Sequence, residues 1–413
     1  MRMRSSLRLW AKSLSVAMTR RYCKARTFVS MKRRSFCSPT AMAASLLVAV
    51  SAILLGCTSV SSEFDASLPD GWEVLAAPKF AQGFQWVQKE NGHVALWIRH
   101  PRTGQALACV SKAHDAAMSK EIRMVQLDTT RGLVTTSTTH VHLLHAGAGL
   151  AQWRGGNSIG YLRSEEILSW VAEHEVTDVG GENGLDPERI ASLDPGAILS
   201  SPAYDLNTRG WPLIPIPEYL EPHPLGRTEW MVPLAWMAGD SASGQTNFNK
   251  VAKAYEDLMA TAVSERPRKR ILTGSVADGV WHAPGHDSFV AQWIRDAGGE
   301  YGLQATNDHE NVALSLEEVL MHASAVDAWV VVTFDPDTFG LDNLLAQDPR
   351  HAALIDAAGE VWACNTAKCD YFGEVVVHPE WVLADVQALV EGAEESPHGL
   401  FSRLPLGQAT ATP

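Results

Sequence analysis

NFNKVAKAYEDLMATAVSER, residues 247–266, decides the fold: it contains no Gly or Pro, and Phe248, Val251, Ala252, Tyr255, Leu258 and Met259 recur at helical spacing. A helix over this stretch is about 30 Å long, and it divides two similar halves of the chain. Upstream, residues 124–127 and 132–136 read as short strands, 139–149 as a helix with Val141, Leu144 and Ala148 on one side, and 187–193 as another short helix. Strands at 197–199 and 211–216 follow, then a helical stretch at 224–238. Downstream the cycle repeats: a strand at 270–274, helices at 288–297 and 315–323, strands at 328–333 and 361–364, and a closing helix at 379–390. Strand and helix alternating at this spacing predict α/β units with largely parallel sheets. No period of about 20 to 50 residues repeats, which excludes a solenoid.

Ahead of these halves, residues 83–112 alternate in strand fashion through Phe84, Trp86, Leu96, Trp97, Ile98, Leu107 and Val110. Asn91-Gly92 and Arg102-Thr103-Gly104 break the run and predict two hairpin turns. Residues 58–78 are polar and turn-rich, a tether that needs no structure of its own. Earlier still, Lys32, Arg33 and Arg34 precede an apolar run at 41–55, too short to cross roughly 30 Å of hydrocarbon but suited to the core of a signal peptide. The run ends in Leu54-Leu55-Gly56-Cys57, which resembles the lipobox of bacterial lipoproteins and implies acylation of Cys57. The expected organisation is a removed leader at 1–56, a tether at 57–78, a β-hairpin extension at 79–122, an N-terminal α/β lobe at 123–246, an inter-lobe helix at 247–267, a C-terminal α/β lobe at 268–400 and a tail at 401–413.

Without the leader the chain holds 23 Lys and Arg against 47 Asp and Glu, a net charge of −24. Such a surface repels phosphate backbones, so nucleic acid is excluded as a partner. Four cysteines remain from Cys57 onward: Cys57, Cys109, Cys364 and Cys369. Cys364 and Cys369 are the one local pair, and an exported compartment leaves a disulfide between them open, with two buried thiols as the alternative.

Several phrases, taken in order, resemble the class III substrate-binding proteins of ABC importers, the carriers of ferric siderophores, haem and vitamin B12. ENGLDPERIASLDPGAIL at 182–199 is similar to the helix-then-strand unit of that family, with Gly196 in place of the usual aspartate. YLEPHPLGRTEW at 219–230 resembles a subgroup signature that opens the helix ahead of the inter-lobe helix. WHAPGHDSF at 281–289, Asp296-Ala297-Gly298-Gly299, Cys364-Asn365 and HPEWVLADV at 378–386 resemble landmarks of the second lobe. The resemblance implies two Rossmann-like lobes joined by one long rigid helix, a ligand held between them, and no catalysis. It also implies an exported protein held to a membrane through acylated Cys57, acting as a monomer, with a permease and its ATPase as partners and an iron or cobalt chelate as the bound small molecule, without an intrinsic cofactor.

On that fold Trp281 and His282 are expected at the end of the second lobe's first strand, lining the cleft. Thr138, Thr139 and His140 hold the matching place in the first lobe, where the hydroxyls also suit helix capping. Trp153 and Tyr161 follow on the next loop, and Trp362, Asn365 and Tyr371 on the rim around the last strand. Permease docking falls to an acidic residue on each lobe: Glu317 in the second, Asp205 or Glu229 in the first. A rival reading places bare Zn²⁺ or Mn²⁺ on His140, His282 and Asp335, and another is a ligand sensor without a transporter. His140, His142 and His145 fall short of a hydrolase zinc motif because Leu144 stands where that motif has Asp and the later rings lie on a helix. Walker, dinucleotide and nucleophile-elbow motifs are absent from the sequence.

Overall fold

The connecting helix runs from Ser241 to Met259 in a computed structural model that describes residues 68, 71–113, 123–181, 184–201, 210–262, 268–303, 310–323 and 326–406. It starts six residues before the predicted 247 and stops before 266. The Asp240 side chain caps it, accepting the Ser243 N–H at 3.1 Å. Gly244 lets the neighbouring helix Met231–Ala238 approach, its Cα facing the Ala235 methyl. Phe248, Ala252 and Tyr255 form the buried face as expected, whereas Met259 is exposed. The helix is bonded to the second half of the chain by Tyr255 Oη donating to Asp296 (2.7 Å) and by Gln387 Nε2 donating to the Leu258 carbonyl (2.8 Å).

Each half is an α/β lobe on a parallel sheet. The first has the strand order Leu213–Pro215, Ala197–Ser200, Leu133–Thr135, Trp153–Gly156, Thr177–Asp178, all parallel. The second has Glu300–Tyr301, Arg270–Thr273, Ala328–Thr333 and Glu360–Asn365 in parallel, with Ser402–Arg403 antiparallel at the edge. The central strands are buried apolar runs, as sheets covered on both faces require. Gly196 opens the Ala197 strand with its Cα against the Asp128 carbonyl, a place where any side chain would collide.

A separate sheet is built from Trp72–Ala76, Phe84–Lys89, Val94–Arg99 and Ala106–Ser111 as an antiparallel meander, with Met124–Gln126 parallel to the last. Both predicted turns are present, with Gly92 at φ 79° and Gly104 at φ 67°. Two expectations are corrected. Residues 72–76 are a paired strand rather than tether, because they meet the register of Phe84–Lys89. Met124–Gln126 belongs to this sheet rather than to the first lobe. One face of the meander, with Phe84, Leu96, Ile98 and Val110, joins the main core, and the other seals Val87, Ala95, Trp97 and Cys109 into a cluster of their own. Cys109 is a small buried packing residue there.

Two buried carboxylates clamp the meander to the first lobe. Glu229 accepts the N–H groups of Lys79, Phe80 and Ala81 at 2.7, 2.8 and 2.8 Å. Glu221 accepts those of Gln82 and Gly83 and the Trp230 indole N–H at 2.7, 2.9 and 2.9 Å. Among the described residues no helix is long and apolar enough to cross a membrane.

Candidate functional site

Open parallel sheets present ligands to the loops at the carboxyl ends of their strands. In the first lobe these ends are Thr135-Thr136, Gly156-Asn157 and Ser200-Ser201; in the second they are Thr273-Gly274, Thr333-Phe334 and Asn365-Thr366. The two sets meet at a seam. Ser137 caps the helix Thr138–Ala146 by accepting the Thr139 N–H at 3.2 Å. The start of that helix reaches the second lobe's loop: Thr139 Oγ1 donates to the Phe372 carbonyl (2.9 Å), and His142 Nε2 lies 3.0 Å from Asp370 Oδ2. Gly373 makes room for this contact, since a Cβ there would stand 2.5 Å from His142 Nε2. The following helix, Glu374–Val377, is held to the first lobe by Thr228 Oγ1 donating to the Val376 carbonyl at 2.7 Å.

At the seam Phe372 is open to solvent while His142 is sealed. Among the described residues the exposed Phe, Tyr and Trp side chains are Tyr161 (49%), Phe334 (37%) and Phe372 (49%). Each sits in a loop leaving the carboxyl end of a parallel strand. Phe372 packs edge-on to Tyr371, ring centroids 5.4 Å apart. Burial pushes the Tyr371 phenol well above its ordinary range, with the nearby Cys364 adding to the rise and Arg227 opposing it. Arg227 lies over the Phe289 ring at 4.1 Å, and its burial lowers the guanidinium pKa against the pull of Glu218 and Tyr371. His140 is wholly buried, with Nδ1 3.2 Å from the Leu199 carbonyl and Nε2 3.4 Å from Glu218. Exposed rings at strand-end loops are of the kind that can stack on a ligand.

Residues 134–358, more than half of the chain, match the family described as periplasmic binding protein. This chain belongs to the periplasmic binding protein family. An uncharacterized lipoprotein of Methanocaldococcus jannaschii is 23% identical over 390 residues, covering 81% of this chain and 92% of its own. A periplasmic heme-binding protein of Pseudomonas aeruginosa shares the fold with a TM-score of 0.50 at 14% identity, over 67% of this chain and 98% of that one. An ABC transporter substrate-binding protein of Listeria monocytogenes does so with a TM-score of 0.50 at 13% identity, over 63% and 98%. The fold is that of a class III periplasmic binding protein.

In this periplasmic binding protein several of the sequence-selected side chains, Trp281, Trp153, Trp362 and His140 among them, are buried inside the lobes. Trp281 is fully buried, its ring 5.6 Å from Trp329 and 6.2 Å from His351. It does not end the second lobe's first strand, which is Arg270–Thr273. Trp281 and half-buried His282 instead sit in Val280–Pro284, the middle strand of a small antiparallel sheet with Ser275–Ala277 and Asn311–Leu314. The missed signal was Asp278-Gly279, both at positive φ (52° and 81°), the preferred two-residue hairpin turn.

Trp153 is likewise buried, its indole N–H donating to Thr135 Oγ1 at 3.1 Å, and Trp362 is buried with its N–H on Glu360 at 3.2 Å. Asn365 rivets two strand ends, accepting the Asp335 N–H (3.0 Å) and donating to the Asp335 carbonyl (2.8 Å). Thr138 and Thr139 lie at the seam, half-buried and buried, and Tyr161 and Tyr371 follow parallel strands of the two lobes. Phe334 and Phe372 were missed, although each follows a strand directly or by one short loop.

Glu229 is corrected as a docking residue: it is 5% exposed and committed to three backbone N–H groups. Glu317 is exposed and pairs with Arg350 at 2.6 Å. Asp205 and Cys57 lie outside the described residues. The rival metal site is not assembled, since among the described residues no group of three His, Cys, Asp or Glu is placed to hold a metal ion. His140 faces Glu218, and Asp335 accepts the Asp337 N–H at 2.9 Å. Cys364 and Cys369 are free thiols with sulfurs 3.4 Å apart.

Proposed function

We propose that this chain is the lipid-anchored substrate-binding component of an ABC importer, acylated at Cys57, which captures a metal chelate between its lobes and hands it to the permease and its ATPase. A ferric siderophore is the first choice, with cobalamin or haem next. The observation that carries this reading is the placement of Tyr161, Phe334 and Phe372, the exposed aromatic rings among the described residues, at strand-end loops of both lobes. Bulky, partly apolar chelates need such walls, whereas a bare cation needs converging charged ligands. Exposed Glu317 is the docking residue we assign to the second lobe. Titrating the protein's intrinsic fluorescence with ferric siderophores, haemin, cobalamin, Zn²⁺ and Mn²⁺ tests the proposal. Saturable quenching by a chelate is expected, and saturation by bare Zn²⁺ or Mn²⁺ alone overturns it.

A further inference from the structure

The two thiols at the end of the strand Glu360–Asn365 are brought together by a tight turn. Lys368 and Cys369 both donate their N–H groups to the Asn365 carbonyl, at 2.8 and 3.2 Å, folding Cys369 back until its sulfur is 3.4 Å from that of Cys364. Their surroundings differ. Cys364 is fully buried within the sheet, and its contact with Cys369 together with burial raises its thiol pKa well above the ordinary value. Cys369 is half-buried and borders a cleft of about 390 Å³, also lined by Asp337, Asn365, Lys368 and Ser402. The hydrogen bond from Cys364 lowers its thiol pKa, against burial. Directly after Cys369 come Asp370, beside His142, and Phe372, whose carbonyl takes the Thr139 hydroxyl.

We propose that Cys364 and Cys369 form a redox-active pair whose closure to a disulfide stiffens the loop that latches the second lobe to the first. The co-reactant is a disulfide, either a small molecule or a dithiol–disulfide oxidoreductase in its oxidised form. Cys369 loses its proton to solvent and attacks one sulfur of the incoming disulfide; that S–S bond breaks and one thiolate leaves. Cys364 then loses its proton and attacks Cys369 Sγ, breaking the mixed disulfide and releasing the second thiolate. Two protein thiols are oxidised, the incoming disulfide is reduced to two thiols, and the two released protons balance the two departing thiolates. Cys369 goes first because the attacking sulfur must be accessible: Cys369 borders the cleft, and Cys364 is fully buried. The new bond closes only a short loop, so its global effect is small, yet the freedom it removes lies one residue from Asp370.

The test treats the intact protein with oxidised glutathione, maps residues 364 and 369 by peptide mass after alkylation, and follows amide hydrogen exchange in the oxidised and reduced forms. The expected result is an intramolecular link between Cys364 and Cys369, with exchange in residues 138–146 and 370–376 slowed about threefold or more. Cys364→Ser should retain one glutathione on Cys369, and Cys369→Ser should take up none at Cys364. No linkage under excess oxidised glutathione, glutathione trapped on Cys364 in Cys369→Ser, or identical exchange in the two forms of the wild-type protein overturns the proposal. Neither the linkage nor the exchange measurement depends on which ligand the cleft binds.

Discussion

Replacing Glu229 by Ala is expected to destabilise the folded chain by about 3 to 5 kcal/mol. Its carboxylate accepts N–H bonds of 2.7, 2.8 and 2.8 Å from three consecutive residues, Lys79, Phe80 and Ala81. A hydrogen bond to a charged acceptor contributes roughly 1.5 to 3 kcal/mol, so three give a gross loss of about 4.5 to 9. Two effects reduce that figure. Burial raises the Glu229 pKa, so desolvating the carboxylate already offsets part of the gain. The Lys79 and Phe80 N–H groups are also only part-buried, and water entering the vacated space can meet them. The Ala81 N–H is buried and keeps the full penalty. Glu229→Gln keeps the volume and one acceptor but turns an amide NH₂ toward the other donors, for about half the loss. Urea unfolding, read as the shift in midpoint at constant slope, measures both variants. A Glu229→Ala protein within about 1 kcal/mol of wild type would refute the clamp. A docking acid would behave in the opposite way, since an exposed carboxylate leaves stability intact when removed.

Burial pushes Glu221 up to about 7, despite the N–H bonds from Gln82, Trp230 and Gly83. Its folded pKa lies above the unfolded 4.5, so the native state holds an extra proton in that window. The stabilisation is complete below pH 4.5 and is lost as pH rises through about 7, up to about 3 kcal/mol relative to Glu221→Gln; parallel stability curves for the two proteins would contradict this. Trp281→Ala should cost about 3 to 5 kcal/mol in unfolding free energy through lost packing on Trp329 and His351. Weaker chelate binding by that variant at unchanged stability would return Trp281 to the ligand face. Phe372→Ala and Tyr161→Ala should leave stability within about 0.5 kcal/mol while weakening chelate binding about tenfold in fluorescence titration, and unchanged affinity in both would remove these rings from the site.

The α/β rhythm, the long helix and both meander turns were legible because each rests on a local signal: periodicity, a run without Gly or Pro, or a glycine that takes positive φ. What the sequence hid depends on tertiary approach. Gly244 breaks a helix by propensity and permits one here because Ala235 needs the space. Trp281, Trp153 and Trp362 look like ligand walls by residue type, yet apolar packing has drawn all three inside. The exposed rings Phe334 and Phe372 are ordinary apolar residues in the sequence, and their exposure depends on how the loops after the strands fold. Glu229 shows the same limit from the polar side, since its three partners lie 148 to 150 residues earlier in the chain.

The meander is fastened unequally. It joins the first lobe through two buried carboxylates and through Lys112 on the Trp236 carbonyl (2.5 Å), and it reaches the second-lobe residue Glu310 by the surface pair with Arg102 (2.8 Å). Any pull on the polypeptide ahead of Trp72 is therefore transmitted to the first lobe as to a foot, while the second lobe remains the free jaw. Among the described residues, reorientation of the jaw then has to strain the Arg102–Glu310 pair on the meander side, the contacts of the connecting helix with Asp296 and Gln387, and the seam at Asp370, Phe372 and Val376.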